Sequence, residues 1–388
     1  MQITPELKRW ATPLQAAAID AMLKHGSQRA AAKALGISKT SVQQRLDAVR
    51  RRAAAAGYAP EADYTHPQPD GFHVRGVSSL YRRGEAEPVI QWVKSAKDYE
   101  DRLQALREAM AAAVEPFRGA FRPARPPRDC MSDLLSVYPM GDPHIGMLAW
   151  KLETGEDFDL KIAERNLVTA VDHLVELSPP SENALIINLG DFFHSDNQSN
   201  RTTRSGHALD VDSRWARVLT VGIRGMRRCI DRALTKHQHV TVINEIGNHD
   251  DHSSIMLALC LAGMYEREPR VTIDTSPAKF HWHRFGACLI GVTHGDTCKA
   301  KDLPEIMATD RPKDWGETKH RRWYTGHVHH DSLKDFRGCT VETFRTLAAK
   351  DAWHAAQGYR SERDMQLHIW HRERGLISRH IVGVEELQ

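Results

Sequence analysis

Five polar clusters recur between residues 134 and 330, and each follows a short run of apolar residues. In chain order they are LLSVYPMGDPHIG, ALIINLGDFFHSD, VTVINEIGNHDD, CLIGVTHGD and WYTGHVHH. Apolar runs of this length, bounded by glycine and polar residues, predict the buried strands of an α/β protein. Open α/β sheets place their ligand sites at the carboxyl ends of strands, so we expect the five clusters to meet at one edge.

The clusters supply carboxylate, amide and imidazole groups, which are metal ligands. The residues that carry these groups are Asp142, His144, Asp191, His194, Asn248, His249, Asp250, His294, His327 and His329. Donors of this mixture suit manganese, iron or zinc, and manganese is the ion we expect. Seven ligands with one shared carboxylate would hold two divalent ions about 3.5–4 Å apart, the spacing used for phosphoryl chemistry. A hydrogen-bonded core histidine would explain any one cluster, but not all five together.

The series D-x-H, G-D-x-x-H, G-N-H-D, H-G-D and G-H-x-H resembles the calcineurin-like metallophosphoesterases over residues 131–388. The resemblance implies a β-sandwich of two mixed sheets flanked by helices, with a dinuclear metal site at its edge. It implies direct hydrolysis of a phosphoester, without a covalent enzyme intermediate. The implied ligands of the first metal are Asp142, His144, Asp191 and His329. Asp191 would bridge to a second metal, which Asn248, His294 and His327 would complete.

The same resemblance assigns catalytic roles to residues beside the ligands. His249 would contact the phosphate and protonate the leaving oxygen, and Asp250 would orient His249. Many phosphatases of the family have Asp or Asn where this chain has His194. The GDFFH form is similar instead to the double-strand-break repair nucleases that partner an ABC-type ATPase, in which the histidine helps to position the phosphodiester. The alternative is that His194 only supports the ligands through a hydrogen bond.

The N-terminal segment is basic and helical. Residues 1–60 contain ten Lys and Arg against three Asp and Glu, although the whole chain carries only +3. Apolar spacing predicts helices over 13–24, 27–35 and 40–55, with Gly36 ending the second and Ser38 capping the third. This segment resembles a helix-turn-helix of the small bacterial activator type, which implies DNA contacts from Lys39, Thr40, Ser41, Gln43, Gln44 and Arg45. The alternative is a helical hairpin that docks on another protein.

Composition divides the chain into three predicted segments. Residues 1–55 form the helix-turn-helix domain, 56–130 a connecting region, and 131–388 the metallophosphoesterase domain. The connecting region contains a Pro- and Gly-rich linker, a β-hairpin over HVRGVSSLY and PVIQWVKS, and a charged helix at about 97–116. A spacer or a dimerisation element is its expected role, and a homodimer is plausible for a helix-turn-helix protein.

Several classes of function are not expected. The chain has no G-x-x-x-x-G-K-[ST], G-x-G-x-x-G or H-E-x-x-H motif, so we expect no nucleotide cofactor. Its start lacks the apolar core of a signal peptide, and no apolar run is long enough to span a membrane. Six scattered cysteines fit a reducing cytoplasm, here that of a bacterial host cell. Near the C-terminus, Trp353, Tyr359 and Trp370 either complete the core, which we favour, or stack on bases.

These observations predict a two-metal phosphodiesterase that hydrolyses DNA and is directed to it by the N-terminal helices. The order of the segments resembles proteins carried by bacteriophages and prophages, which implies a role in phage or host DNA processing. A first alternative is a phosphomonoesterase or cyclic-nucleotide phosphodiesterase whose N-terminal domain serves assembly. A second is a non-catalytic DNA-binding regulator.

Overall fold

A computed structural model describes residues 3–59, 72–82, 89–97, 125–203 and 205–387. The chain divides into two compact units, Met1–Ala109 and Met110–Gln388. The helix predicted at 97–116 lies outside the described residues, except for Lys97, which ends a strand. Most of both linkers also lies outside them, as does Arg204 in the loop after His194. The predicted division at residues 55 and 130 stays a prediction.

The first unit begins with three short α-helices. They are α1 (Pro13–His25), α2 (Gln28–Leu35) and α3 (Lys39–Ala55), preceded by a 3-10 turn at Pro5–Trp10. Ala31, which is fully buried, lets α1, α2 and α3 approach closely around Ile19 and Val42. Because this core consists largely of alanine and valine, each buried side chain contributes little apolar area.

The predicted helix boundaries are confirmed by their caps. Gly36 ends α2 with a φ of 65°, a left-handed conformation that favours glycine. Ser38 begins α3, and its hydroxyl accepts a hydrogen bond from the Ser41 amide at 3.0 Å. The predicted hairpin is confirmed as well: β1 (Phe72–Leu80) pairs antiparallel with β2 (Ile90–Lys97).

The second unit is built on two mixed sheets. The six-stranded sheet has the order β13-β12-β3-β4-β5-β6, and the five-stranded sheet has the order β10-β11-β9-β8-β7. The strands are β3 (Met131–Met140), β4 (Ser181–Asn188), β5 (His239–Asn244), β6 (Val271–Ile273), β7 (His281–Phe285), β8 (Cys288–Val292), β9 (His320–Thr325), β10 (Ser332–Phe336), β11 (Cys339–Thr343), β12 (Asp364–His371) and β13 (Gly375–Gly383). Strands β3 to β6 run parallel, as do β11, β9 and β8.

The core lies between the two sheets. Leu135 and Leu185 from the six-stranded sheet pack in one cluster with Ile290 and Tyr324 from the five-stranded sheet, and all four are fully buried. Trp370 of β12 belongs to the same cluster, so the expectation of a core position is confirmed for this residue. Because each strand is covered on its inner face, apolar side chains recur along it and fix its register.

Helices cover the outer faces of the sandwich. They are α4 (Lys151–Thr154), α5 (Leu160–Leu177), α6 (Trp215–Ala233), α7 (Ser253–Met264), α8 (Leu303–Asp310), α9 (Pro312–Glu317) and α10 (Ala352–Ala356). Leu167, Val171 and Leu174 form a buried stripe on α5, at the spacing of an amphipathic helix. Leu303 and Met307 of α8 pack against Trp323 on the outer face of the five-stranded sheet. The predicted sandwich of two mixed sheets with flanking helices is therefore confirmed.

Two other sequence-based expectations can be compared with this fold. All six cysteines are free thiols. None of the helices among the described residues combines the length and apolarity that a bilayer crossing requires.

Candidate metal centre

The register of the strands brings the polar clusters level with one another. Met140, Asn188 and Asn244, the last residues of β3, β4 and β5, are direct neighbours across the sheet. The Asn188 amide donates to the Asn244 side-chain oxygen at 2.9 Å, which ties two of these strand ends together. In the other sheet, β8 and β9 end side by side, before His294 and His327. All five clusters thus begin at one edge of the sandwich.

A first group of ligand atoms joins the two sheets. Asp142, His144 and His329 each place one such atom within 4.8 Å of the others. His144 Nε2 and His329 Nε2 are 3.2 Å apart, and His329 Nε2 lies 3.6 Å from Asp142 Oδ1. The His327 amide donates to both carboxylate oxygens of Asp142 at 3.0 Å, which fixes the carboxylate against the loop after β9.

A second group contains acceptors that face one another. Asp191, His294 and His327 again place their ligand atoms within 4.8 Å of one another. His294 Nδ1 donates to the Leu189 carbonyl at 2.8 Å, so its Nε2 is the ring nitrogen that faces Asp191 Oδ2 at 3.3 Å and Asn248 Oδ1 at 3.1 Å. Two acceptor oxygens that converge on one ring nitrogen require a positive charge there, which a proton on Nε2 or a metal ion can supply, so these residues fit a metal ion.

The backbone at these positions is strained. Six described residues other than glycine have a positive φ, and five of them are candidate ligands. These five are Asp142, His144, Asp191, His327 and His329, with φ between 41° and 68°. A left-handed conformation costs such residues about 1–3 kcal/mol each and persists where function requires it. This strain identifies the same residues as the motifs do, on independent grounds.

Two glycines of the motifs are required by close approach. A Cβ atom on Gly326 would lie 2.6 Å from Asp142 Oδ2, and one on Gly247 would collide with the Asp191 carboxylate and amide. Each glycine therefore lets the loop from one strand reach the carboxylate that follows another.

Burial lowers the pKa values of the histidines at the site, and the neighbouring carboxylates raise them. Burial holds the pKa of His144 well below its usual value, and the neighbouring histidines add to this effect. Burial also opposes protonation of His294, but Asp191 and Asp142 outweigh it and raise its pKa to about 10. A proton and a metal ion compete for the same lone pair of His294, because its other nitrogen is occupied by Leu189.

His249 and His194 lie beside the first group. Their rings stack with centroids 5.3 Å apart, and each lies edge-on to His144. His249 Nδ1 donates to the His194 carbonyl at 3.0 Å, and the His249 amide donates to Asp191 Oδ1 at 2.8 Å. His194 is buried, its Nδ1 faces His144 Nδ1 at 3.3 Å, and its Nε2 has no hydrogen-bond partner. Burial, reinforced by His249, lowers the pKa of His194 to about 3.

Asp250 does not have the contact expected of it. Its carboxylate accepts hydrogen bonds from the Gly247 amide at 3.0 Å, the Phe193 amide at 3.1 Å and the Ser254 hydroxyl at 2.7 Å. The His249 ring bonds to the His194 carbonyl, so any orienting effect of Asp250 on His249 is indirect, through the loops, and stays a prediction. Because Asp250 is buried among backbone donors, it holds together the two loops that carry the histidines. Burial, reinforced by Asp191, raises the pKa of Asp250 to about 7.

The structure brings two further aspartates to the site, Asp196 and Asp351, to which the sequence analysis assigned no role. Asp196 accepts hydrogen bonds from the amides of His252 and Ser253 at the start of α7, and thereby anchors the chain that follows His249. Asp351 caps α10, and His354 of the same helix stacks on the ring of His329. The signal in the sequence was the pattern D-x-x-H at the start of a short helix, from Asp351 to His354. This pattern is too common in proteins to indicate a site.

The DNA-contacting candidates on α3 differ in exposure. Lys39, Thr40 and Gln44 are exposed, whereas the other three are partly buried. Ser41 is engaged in the cap of α3, Gln43 donates to Asp47 at 3.2 Å, and Arg45 donates to the Leu14 carbonyl at 3.4 Å. In the second unit, Arg201, His207 and Arg214 are exposed on the loop that follows β4.

No family model and no curated protein matches the chain. Among solved structures, it is similar to zinc-bound Vps29 from Entamoeba histolytica at 11% identity and a TM-score of 0.28, over 64% of this chain and 99% of that one. It is similar to an archaeal phosphodiesterase at 12% identity and a TM-score of 0.34, over 64% and 99%. For GAP50 of the Plasmodium inner membrane complex, the values are 9%, 0.36, 66% and 87%. Likeness at this level identifies no family for the chain.

Proposed function

We propose that this protein is a two-metal phosphodiesterase that hydrolyses DNA. The observation that carries the proposal is the convergence of a carboxylate oxygen and an amide oxygen on His294 Nε2, a position that requires positive charge. Such a site binds a divalent cation, and two adjacent cation sites that share Asp191 suit phosphoryl chemistry.

Each metal would be held by a separate group of residues. Asp142, His144, Asp191 and His329 would hold one ion, and Asp191, Asn248, His294 and His327 the other. Oxygen and imidazole ligands without thiolate favour manganese, with iron or zinc as further candidates. When bound, the two ions supply a lowered pKa for water and positive charge for the phosphoryl oxygens.

His249 is the group we assign to proton transfer. Its Nδ1 is engaged by the His194 carbonyl, so Nε2 is the nitrogen left to contact the phosphate and to give a proton to the leaving oxygen. The amide bond from His249 to Asp191 sets the position of the ring relative to the ligands. We assign His194, which stacks on His249 with a free Nε2, to positioning of the phosphodiester.

DNA as the substrate is supported by the first unit. Residues 1–60 carry a large excess of positive charge, and the exposed start of α3 presents Lys39, Thr40 and Gln44. Lysines contact phosphates, and hydroxyl and amide side chains read base edges, so this surface suits duplex DNA. A role in phage or host DNA processing is supported by the order of the segments, which resembles that of proteins carried by bacteriophages and prophages.

The first experiment tests the metal centre without DNA. We expect Mn²⁺ to bind by calorimetry and to activate hydrolysis of bis(p-nitrophenyl) phosphate. Asp191→Asn should weaken Mn²⁺ binding and abolish hydrolysis, whereas Asp310→Asn, an exposed aspartate at the end of α8, should change neither. Wild-type Mn²⁺ binding and hydrolysis in Asp191→Asn would overturn the proposed centre.

The second experiment tests the substrate. Supercoiled plasmid, linear duplex and single-stranded circles are incubated with Mn²⁺ and either wild type or His249→Ala. Cleavage by wild type alone is the expected result, and the pattern distinguishes nicking from digestion of ends. Intact DNA alongside hydrolysis of the small ester would retain the phosphoesterase and refute its action on DNA.

A further inference from the structure

The segment Asp351–Tyr359 forms a wall beside the first group of ligands. Within it, His354 stacks on the ligand candidate His329, with ring centroids 4.9 Å apart and an angle of 24° between the planes. His354 Nδ1 donates to Asp351 Oδ1 at 2.6 Å, and the His354 amide donates to the same oxygen at 2.8 Å. The ring of His354 is therefore fixed in orientation and in contact with the site.

Trp353 extends this wall toward solvent. Its ring lies edge-on to His354 at 5.0 Å, and Tyr359 packs on His354 in the same manner, also at 5.0 Å. Trp353 is nevertheless 54% exposed, whereas Trp370 and Trp323 are buried in the cores. A large aromatic ring held in place on one side and exposed on the other is a stacking platform rather than a core residue.

A second exposed tryptophan borders the same wall. Helix α4 packs against α10, and Trp150, the residue before α4, is 59% exposed. Trp150 and Trp353 thus lie on two elements that pack together, and exposed apolar side chains near a site indicate a binding surface. Two ring contacts of about 5 Å connect Trp353 to His329 through His354, so a group attached to a phosphate bound at His329 would reach this surface.

We propose that Trp353 stacks on the nucleobase adjacent to the scissile phosphate. The enzyme then prefers phosphodiesters of nucleosides over those of small aliphatic alcohols. Stacking on an aromatic side chain tolerates every base, which suits an enzyme whose sequence selectivity lies elsewhere. This inference rests on the proposed phosphodiesterase activity and names the chemistry of its substrate.

The test compares three chromogenic substrates with Mn²⁺. They are the p-nitrophenyl esters of thymidine 5′-phosphate and thymidine 3′-phosphate, and p-nitrophenyl methyl phosphate, which lacks a base. The readout is the ratio of kcat/KM for each thymidine ester to that for the methyl ester. We expect Trp353→Ala to lower the larger ratio by at least about fivefold, and Trp353→Phe to retain most of it. The matched control is Trp92→Ala in β2, a tryptophan that is 56% exposed.

Binding without turnover separates this inference from the proposed function. In EDTA, Trp353→Ala should weaken binding of an oligothymidylate by a similar factor. An active enzyme with an unchanged ratio and unchanged binding refutes the stacking and retains the phosphodiesterase. Weakened binding in a protein that hydrolyses none of the esters retains the stacking and refutes the phosphodiesterase. An equal loss on all three substrates, with normal oligothymidylate binding, assigns Trp353 to support of the site and overturns the inference.

Discussion

Two polar clusters of the sandwich contain buried histidines but differ in how hydrogen-bond donors and acceptors meet. Near the amino ends of β4 and β5, the Tyr138 hydroxyl donates to His237 Nε2 at 2.8 Å, and His237 Nδ1 donates to the Ser181 carbonyl at 3.0 Å. At the opposite edge, oxygens of Asp191 and Asn248 both face His294 Nε2. The first cluster is complete with a neutral ring, whereas the second requires a positive charge, from a proton on His294 or from a metal ion.

The difference distinguishes a structural histidine from a ligand. Buried polar groups are stable when each donor meets an acceptor, and costly when acceptors face one another. Burial alone therefore does not indicate function, since His237 and His294 are equally buried. The partner of Nε2 distinguishes the two: it is a hydroxyl donor for His237 and a pair of acceptor oxygens for His294.

The largest expected effect is on kcat and comes from a residue beside the metal centre. His249→Ala should lower kcat by about 10²- to 10⁴-fold, because it removes the proton donor from the leaving oxygen. Mn²⁺ binding by calorimetry should stay close to wild type, since His249 is not among the assigned ligands. An unchanged kcat would remove His249 from the mechanism.

Metal binding should stabilise the folded protein through the cluster of His294 and not through the cluster of His237. At a hundredfold excess of Mn²⁺ over Kd, the free energy of unfolding should rise by about 2.7 kcal/mol, because the ion binds only the folded chain. His294→Ala should lose this increment and His237→Ala should keep it, as measured by urea unfolding with and without Mn²⁺. The same increment in both variants would contradict the distinction drawn between the two histidines.

His237→Ala should act on stability alone. It removes a hydrogen-bond partner from the Tyr138 hydroxyl and from the Ser181 carbonyl, so we expect a loss of about 1–3 kcal/mol. Burial lowers the pKa of His237 to about 4, so the unfolded chain takes up its proton first as the pH falls. The difference in stability between wild type and His237→Ala should therefore shrink from pH 7 to pH 4. His239→Ala, an exposed histidine at the start of β5, is the matched control.

The smallest effect is expected on DNA affinity. Lys39→Ala should weaken DNA binding uniformly across sequences and lower the slope of log affinity against log salt by about one. Arg45→Ala should have less effect, since its guanidinium already donates to the Leu14 carbonyl. Wild-type affinity of Lys39→Ala at every salt concentration would count against docking through α3.

The strand ends could be predicted because apolar runs and the polar residues after them are local features. Asp142, His144 and the later cluster residues do lie at one edge, as parallel neighbours require. The contacts of Asp250 could not be predicted, because they depend on which backbone amides the folded loops direct at it. The Asp351–His354 pair could not be predicted for a similar reason, because only tertiary packing places α10 against His329.

The left-handed backbone at the ligands has a consequence for how this protein would evolve. Glycine adopts that conformation without strain, so replacing an exposed ligand such as His327 with glycine would relieve a local cost to the fold while removing a metal ligand. Selection for thermal stability alone would therefore favour the loss of this ligand. A lineage in which all five strained positions persist has been held there by selection for activity.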